Sequence, residues 1–509
     1  MVLPADAGVS SRQPGADSSS WIIGGVPGVQ TDEIAAASGA TVVSRRLGSY
    51  LVPRERARHL ATRLERADQL VYAEPDVALS RSSYPPDLFS SQQWWLDRIV
   101  NPGDVTPPAV TSGSPLLALV EESLDPQHPD LVDANLTGAQ SLGPVSDSHG
   151  TAVAAIAGSP GEMKGIRGVW PGARMRLFPS GLTCSTASKA VTEAAKQGAA
   201  VINMSYTLPA NACFTHFEAT QYAVKKGAIP VASAGNSGAT GNAAMRPASD
   251  PHVLAVGAVD SESVVASFST RNNAVDITAP GAGVLAPTVT ASPDGTVRGW
   301  AGLNGTSFSA PMVSAAAAWL RQTRPELDAL QVSRLLVNSA TDLGSPGRDR
   351  QYGAGLLNIE KSLTGPAPLR DSFEPNDDIQ WINGTLLSSP GAPLWKPGKG
   401  KRTTTEGSLS RAKDPADVYR VKIPARARIV VHVAQYEGDV TLSALRPGAK
   451  TISKPGRNLI VRSNRPYPKT EGIVIRNTKK KAQSIWLSIA PASTQMGDSS
   501  AYRIKVVRT

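Results

Sequence analysis

Cysteine is nearly absent from this chain: Cys184 and Cys213 are the only two in 509 residues, and no Cys-x-x-Cys pair exists. That excludes a CxxC redox centre or zinc module and leaves two states open, one disulfide or two packed free thiols. Long apolar runs are also missing. None approaches the ~18 residues that a membrane span requires. Charged residues make up 18% against 41% hydrophobic, a balance that suits buried cores. The first twenty residues lack a basic patch followed by an apolar stretch, so no secretory signal is read there. They are rich in Ser, Gly and Pro and read as a flexible leader whose true start can lie upstream. No basic motif interleaved with aromatics occurs, so nucleic acid is not expected as a partner.

The length implies more than one domain, about three at ~150 residues each. Residues 21–82 read as a small α+β unit, with strands at 21–25, 40–46, 49–52 and 71–79 and an amphipathic helix at 55–67. Residues 81–93 read as an exposed connector. From 83 to 364, short apolar runs at 115–120, 173–178, 199–205, 228–234 and 252–259 alternate with helices such as 187–197 and 216–226. This pattern predicts an α/β fold with a doubly wound, mostly parallel sheet. A Pro-rich linker, 365–378, separates it from seven short alternating strands within 379–509, which predict a β-sandwich. Residues 371–509 carry 24 Lys+Arg against 11 Asp+Glu, while the remainder carries 28 against 31. The net positive charge therefore belongs to the C-terminal part. It reads as a solvated basic face or as a surface for an anionic cell-surface polymer.

The chemistry is concentrated in three strings. NGTSFSAPM (304–312) opens an apolar helix and places Ser307 at its N-terminus, where free N–H groups and the helix dipole favour developing negative charge. A serine cap on a buried helix is the structural alternative. DSHGTAVAAIAG (147–158) sets His149 immediately before a small-residue helix. There Gly150 permits close approach, Thr151 can cap, and the imidazole can serve as general base. ASAGN (232–236) ends a buried strand in Asn236, whose amide can help the Ser307 N–H hold an oxyanion.

Together with VINMSY and HPDL, these strings resemble the subtilisin-like serine proteases over roughly residues 90–360. The resemblance implies a Ser-His-acid endopeptidase acting on polypeptides, without a cofactor. Ser307 is then the nucleophile, His149 the base and Asn236 the oxyanion donor. Ser205, Tyr206 and Thr207 form the strand that pairs with substrate, and Gly235 and Asn304 also line the substrate site. Residues 21–82 are similar to the inhibitory propeptides of that family, which implies an intramolecular inhibitor released by cleavage between about 79 and 90. The C-terminal part resembles the prepeptidase C-terminal β-domain of secreted bacterial members. Secretion or display at the cell surface, and a monomer, are what the resemblance implies.

The chain departs from the family pattern at the acid. The expected aspartate, seven positions before HPDL, is Glu121, followed by Glu122 and Ser123; Asp125 falls four positions later. Glutamate can orient the imidazole, but its extra methylene has to be absorbed, and ~1 Å of misplacement can cost about 100-fold. A slower protease is the main expectation. A catalytically impaired protein kept for peptide or surface binding is the alternative, and an adhesion protein led by its basic β-domain is a further one. Thr207 replaces the family's glycine and predicts a narrowed pocket that favours small P1 side chains. The loop 159–168 lacks the asparagine-bearing insertion that ligates calcium in some members, so Asp130 is read as structural and no metal is expected. A bridge between Cys184 and Cys213 would stiffen the rim of the cleft.

Overall fold

The computed structural model describes residues 19–76, 89–100, 105–138, 148–161, 164–292, 295–383, 392–396, 398, 400–492 and 499–509. Most of the N-terminal leader, the connector before residue 89 and the expected cleavage region up to residue 88 lie outside these residues. The chain divides into two compact units, Met1–Ser82 and Ser83–Thr509.

The first unit is a four-stranded antiparallel sheet with two helices. Its elements are β1 (Ser20–Gly25), α1 (Val29–Ala37), β2 (Thr41–Ser44), β3 (Ser49–Pro53), α2 (Arg54–Arg66) and β4 (Leu70–Pro75), and the sheet order is β2-β3-β1-β4. Ala57, Leu60, Ala61 and Leu64 recur at helical spacing on α2 and pack with Ile23, Tyr50 and Val52 of the sheet. Helix α1 has no sequence expectation behind it. Its run VQTDEIAAA buries only Thr31 and Ala35, too few apolar contacts to give a clear stripe.

The second unit begins with α3 (Trp94–Ile99) and then builds a seven-stranded, all-parallel sheet. Its strands are β5 (Leu117–Glu121), β6 (Leu136–Thr137), β7 (Met175–Pro179), β8 (Val201–Met204), β10 (Ile229–Ser233), β12 (Leu254–Val259) and β13 (Ile277–Pro280). The order β13-β12-β10-β8-β5-β7-β6 has β5 near the middle. Helices cover both faces, which is why these strands are apolar on both sides. On one face lie α4 (His149–Gly158), α7 (Thr306–Thr323), α8 (Ala329–Asn338) and α9 (Ile359–Thr364). On the other lie α5 (Cys184–Lys196) and α6 (Phe214–Lys225). Two short strands, β9 (Leu208–Pro209) and β11 (Met245–Arg246), pair antiparallel in a separate sheet.

A hairpin of two nine-residue strands, β14 (Val284–Ser292) and β15 (Gly295–Leu303), leads into α7. It is held at four points. Arg298 Nε donates to Asp125 (2.5 Å), Trp300 Nε1 to Asp130 (2.7 Å), and His128 Nε2 pairs with the Gly299 carbonyl (3.1 Å). The Ser148 hydroxyl donates to Val289 O and accepts from Val289 N. Thr151, expected to cap α4, instead accepts the Asp125 N–H on its hydroxyl (2.9 Å). The loop from 121 to 130 and the start of α4 are thereby tied together.

After α10 (Ile379–Asn383), two four-stranded antiparallel sheets follow. One contains β16 (Arg402–Ser410), β18 (Arg428–Glu437), β21 (Glu471–Arg476) and β23 (Ser499–Arg508). The other contains β17 (Asp417–Ile423), β19 (Val440–Leu445), β20 (Leu459–Ser463) and β22 (Gln483–Pro491). Alternating residues such as Ile429, Val431 and Val433 meet Leu442, Leu487 and Ile489 in a common core, the sandwich that the period-two pattern predicts.

Cys184 opens α5, Cys213 precedes α6, and the two are joined by a disulfide that closes a separation of 29 residues. Loop-closure entropy gives such a link about 3–4 kcal/mol. Replacing both cysteines by serine in a Ser307→Ala background is therefore expected to lower unfolding free energy by about 2–4 kcal/mol in a denaturant titration. An unchanged midpoint would remove the stabilising role.

Candidate active site

Glu121 is the last residue of β5 and is buried, 2% exposed. α4 starts at His149, close to the chain that leaves β5. A Cβ on Gly150 would lie 2.0 Å from the Ser123 carbonyl oxygen, so only glycine lets the first turn come so near. Across this gap the His149 Nδ1–H donates to Glu121 Oε2 at 2.8 Å. The bond selects the tautomer that keeps Nε2 as the acceptor. The His149 side chain is 30% exposed, so the ring runs from a buried carboxylate to solvent. The longer glutamate side chain thus makes the contact that the spacing had left in doubt.

Ser307 is the second residue of α7, and its neighbour Phe308 packs on the His149 ring at 6.0 Å between centroids. Pro311 lies one turn further on, inside the helix. Proline has no N–H to give to the carbonyl four residues back, so Ser307 O is left out of the helical ladder. Ser205 fills the vacancy. Its hydroxyl donates to Ser307 O (2.9 Å), while the Ser307 hydroxyl donates to Ser205 O (3.1 Å). Behind them, Asn203 Nδ2 donates to Ser205 Oγ, and Ser314 Oγ donates to Asn203 Oδ1, both at 2.9 Å. A buried polar chain therefore holds the end of β8 against the first turns of α7.

Asn236 is exposed just beyond β10. Its Oδ1 accepts from the Thr306 N–H (3.0 Å) and hydroxyl (2.9 Å). Only the carbonyl end of an amide can do this, so Nδ2 is the free donor. Gly235 has φ +102°, a conformation that side chains avoid. A Cβ there would meet Thr270 Oγ1 at 3.1 Å, Thr207 Cγ2 at 3.4 Å and Met245 Cγ at 3.7 Å. Thr207 is exposed, whereas Tyr206 turns inward, its phenol sharing a 2.8 Å hydrogen bond with His216 Nε2. Asn304 is exposed, and its Oδ1 accepts from the Gly283 N–H (2.8 Å). Glu121, His149, Ser307, Asn236, Ser205 and Gly235 therefore gather in one place; Asn304 braces the entry to α7.

The Subtilase family, Peptidase_S8, matches residues 114–355. The chain is 32% identical over 308 residues to an alkaline protease of Alkalihalobacillus alcalophilus, covering 58% of this chain and 75% of that one. It is 34% identical over 254 residues to subtilisin DY of Bacillus licheniformis, covering 48% of this chain and 89% of the relative. This chain belongs to the subtilase family. Among solved structures, fervidolysin from Fervidobacterium pennivorans aligns with 94% of this chain and 93% of its own length, at 19% identity and a TM-score of 0.48. The sheet of the subtilase domain is the parallel sheet described above.

Met245 and Pro311 carry no motif of their own in the sequence. Met245 reaches Gly235 only because β11 folds back to pair with β9. The Pro311 signal was present within NGTSFSAPM, but its effect on one carbonyl is visible only with Ser205 in place.

Among the described residues, two groups could hold a cation: His252, Glu374, Asp377 and Asp414, and Asp371, Glu374 and Asp417, with ligand atoms within 4.8 Å of one another in each. Neither contains a member of the Ser307 group. His252 Nε2 lies 3.2 Å from Glu374 and 3.1 Å from Asp377. Burial opposes its charge, but the two carboxylates outweigh burial and hold the imidazole well above its ordinary range. Burial also pushes Asp414 and Asp417 well up.

His216, fully buried behind Tyr206, behaves oppositely. Burial, helped by nearby Arg246, lowers its pKa to about 4. The neutral imidazole is the native form, so its stabilising contribution is complete above pH 6.5. That contribution is lost as pH falls from 6.5 toward 4, on the order of 3 kcal/mol at the limit. Thermal melts of the Ser307→Ala protein should show this slope, and His216→Gln should flatten it; an equal slope in both would reject the assignment.

Proposed function

We propose that this subtilase is a secreted serine endopeptidase, made as a precursor whose residues 21–82 act as folding aid and inhibitor. The observation that carries the catalytic part is the 2.8 Å bond between Glu121 and His149, beside a serine fixed at a helix N-terminus. Ser307 Oγ attacks the peptide carbonyl as its proton passes to His149 Nε2. Glu121 accepts from Nδ1–H throughout and stabilises the imidazolium. The tetrahedral oxyanion lies between Asn236 Nδ2 and the Ser307 N–H, where the helix dipole also favours negative charge. His149 then gives its proton to the leaving amine, and water repeats the sequence on the acyl-enzyme. The substrate runs as an added strand beside Ser205–Thr207. Its P1 side chain enters the space bounded by Thr207, Gly235 and Met245. The convergence of Thr207 and Met245 over Gly235 supports a preference for small P1 residues. The C-terminal β-sandwich is read as a prepeptidase-type domain whose basic surface meets an anionic polymer.

A fluorophosphonate should label Ser307 in the wild-type protein and not in His149→Ala; failure of the wild type to label would favour a silent peptide-binding role. Glu121→Gln is expected to lower kcat by about 10⁴-fold, the size of the loss caused by removing the acid in subtilisin. Glu121→Asp draws the carboxylate back by ~1 Å and should cost about 100-fold. Activity of Glu121→Asp at or above wild type would show that the site is not built around glutamate. Asn236→Ala should lower kcat by about 10²–10³-fold. A peptide library should yield mainly Ala, Gly and Ser at P1, and dominance of aromatic P1 residues would contradict the pocket assignment.

A further inference from the structure

The β-sandwich meets the subtilase domain through two adjacent charged side chains: Asp414 pairs with Arg334 of α8 at 3.0 Å, and Lys413 reaches further in. Lys413, in the turn between β16 and β17, is buried, 8% exposed. Its ammonium donates to the carbonyls of Ala248 and Val253, the latter at 2.8 Å, and lies 3.2 Å from Asp276. The Lys413 carbonyl in turn accepts the His252 backbone N–H at 2.9 Å. Three of these four attachments fall between residues 248 and 253.

That segment begins at Met245. Ser249 N donates to Met245 O (2.8 Å), and Asp250 N donates to Pro247 O (2.9 Å). Arg246 Nε lies 3.0 Å from Asp250. The turn is therefore closed on itself, and a displacement of Ala248 is passed to Met245. β11, which contains Met245, pairs with β9, the stretch that directly follows Thr207. Met245 Cγ stands 3.7 Å from where a Gly235 Cβ would be.

Burying a lysine is costly unless its donors and its charge are met. Here two carbonyls and Asp276 meet them, with Asp250 and Arg348 also acting on the ammonium. An apolar contact could hold two domains together with latitude in position. An ammonium shared by two specified carbonyls fixes where those carbonyls are.

We propose that Lys413 is a positioning residue for substrate recognition, setting the Met245 wall of the P1 pocket from the β-sandwich through Ala248 and Val253. The inference rests on the endopeptidase reading and on the P1 space assigned above. In it, the C-terminal domain tunes which peptide bonds are cut.

The test uses the full chain with Lys413→Met, Lys413→Gln and Lys413→Arg. Fluorophosphonate labelling of Ser307 reports the catalytic centre alone and should stay within about twofold of wild type. Peptides with Ala or Phe at P1 report the pocket. In Lys413→Met and Lys413→Gln, KM for the Ala peptide should rise on the order of tenfold with kcat nearly unchanged. The Ala-to-Phe ratio of kcat/KM should fall by a similar factor, and Lys413→Arg should restore most of it. A lower melting temperature with unchanged KM and unchanged ratio would make Lys413 a docking residue only and overturn the proposal. Loss of labelling in both neutral variants would do the same, by making Lys413 a residue of general stability. Absence of labelling in the wild type would instead defeat the endopeptidase reading on which the proposal stands.

Discussion

Pro311 cannot donate a backbone hydrogen bond, and the arrangement around Ser307 follows from that one missing N–H. The carbonyl of Ser307 is released from the helix and taken by the Ser205 hydroxyl, which draws the end of β8 onto the start of α7. The segment proposed to receive substrate, Ser205–Thr207, follows β8 without continuing it as a strand, and it is registered to the proposed nucleophile by the hydrogen bonds that the missing Pro311 N–H leaves open. Asn203 and Ser314 extend the same line into the core, where an unmet polar group would be expensive. The site has little freedom to drift without breaking several buried bonds at once.

The side of the proposed acid is governed by distance in the same way. A glutamate at the end of β5 demands that the imidazole sit where a longer side chain can reach it. Gly150 and the ties from the β14–β15 hairpin to Asp125, Asp130 and Ser148 hold the loop after β5 and the head of α4 in fixed relation. The hydrogen bond from His149 to Glu121 therefore reflects placement of two backbone segments as much as the choice of carboxylate.

Much of this was legible in the residue pattern. The parallel strands are uninterrupted apolar runs because both faces are covered, and the sandwich strands alternate because one face is wet. Ser307, His149 and Asn236 each follow or begin an element whose end could be read from glycine and small-residue signals. The hairpin was not legible, since Pro287 and the mixed run VRGWAG disguise its two strands. β16 was hidden by its polar residues, which pair with β23 at an edge of the sheet. Thr151 looked like a cap because it sits in the first turn, but a tertiary partner, the Asp125 N–H, claimed its hydroxyl. Met245 and Lys413 act over separations that no local pattern encodes: Lys413 lies more than 150 residues from the carbonyls that it meets.

The strand order has a temporal consequence. β5 pairs with β7 and β8, β8 with β10, and β10 with β12, so each parallel pairing must wait for a crossover to form, through helices up to β10 and through the helix-free stretch 234–253 before β12. The hairpin bonds to Asp125 and Asp130 close spans of about 170 residues. Loops of that size are closed before their contacts repay the entropy, which places a high barrier on the route to the native sheet. A barrier stands on the return route as well, when the contacts that form late must all be broken before the sheet can open. If the chain is the endopeptidase proposed above, its resistance to digestion by its own copies is then governed by how seldom the sheet opens, and the relevant measure of durability is a half-life rather than an equilibrium free energy.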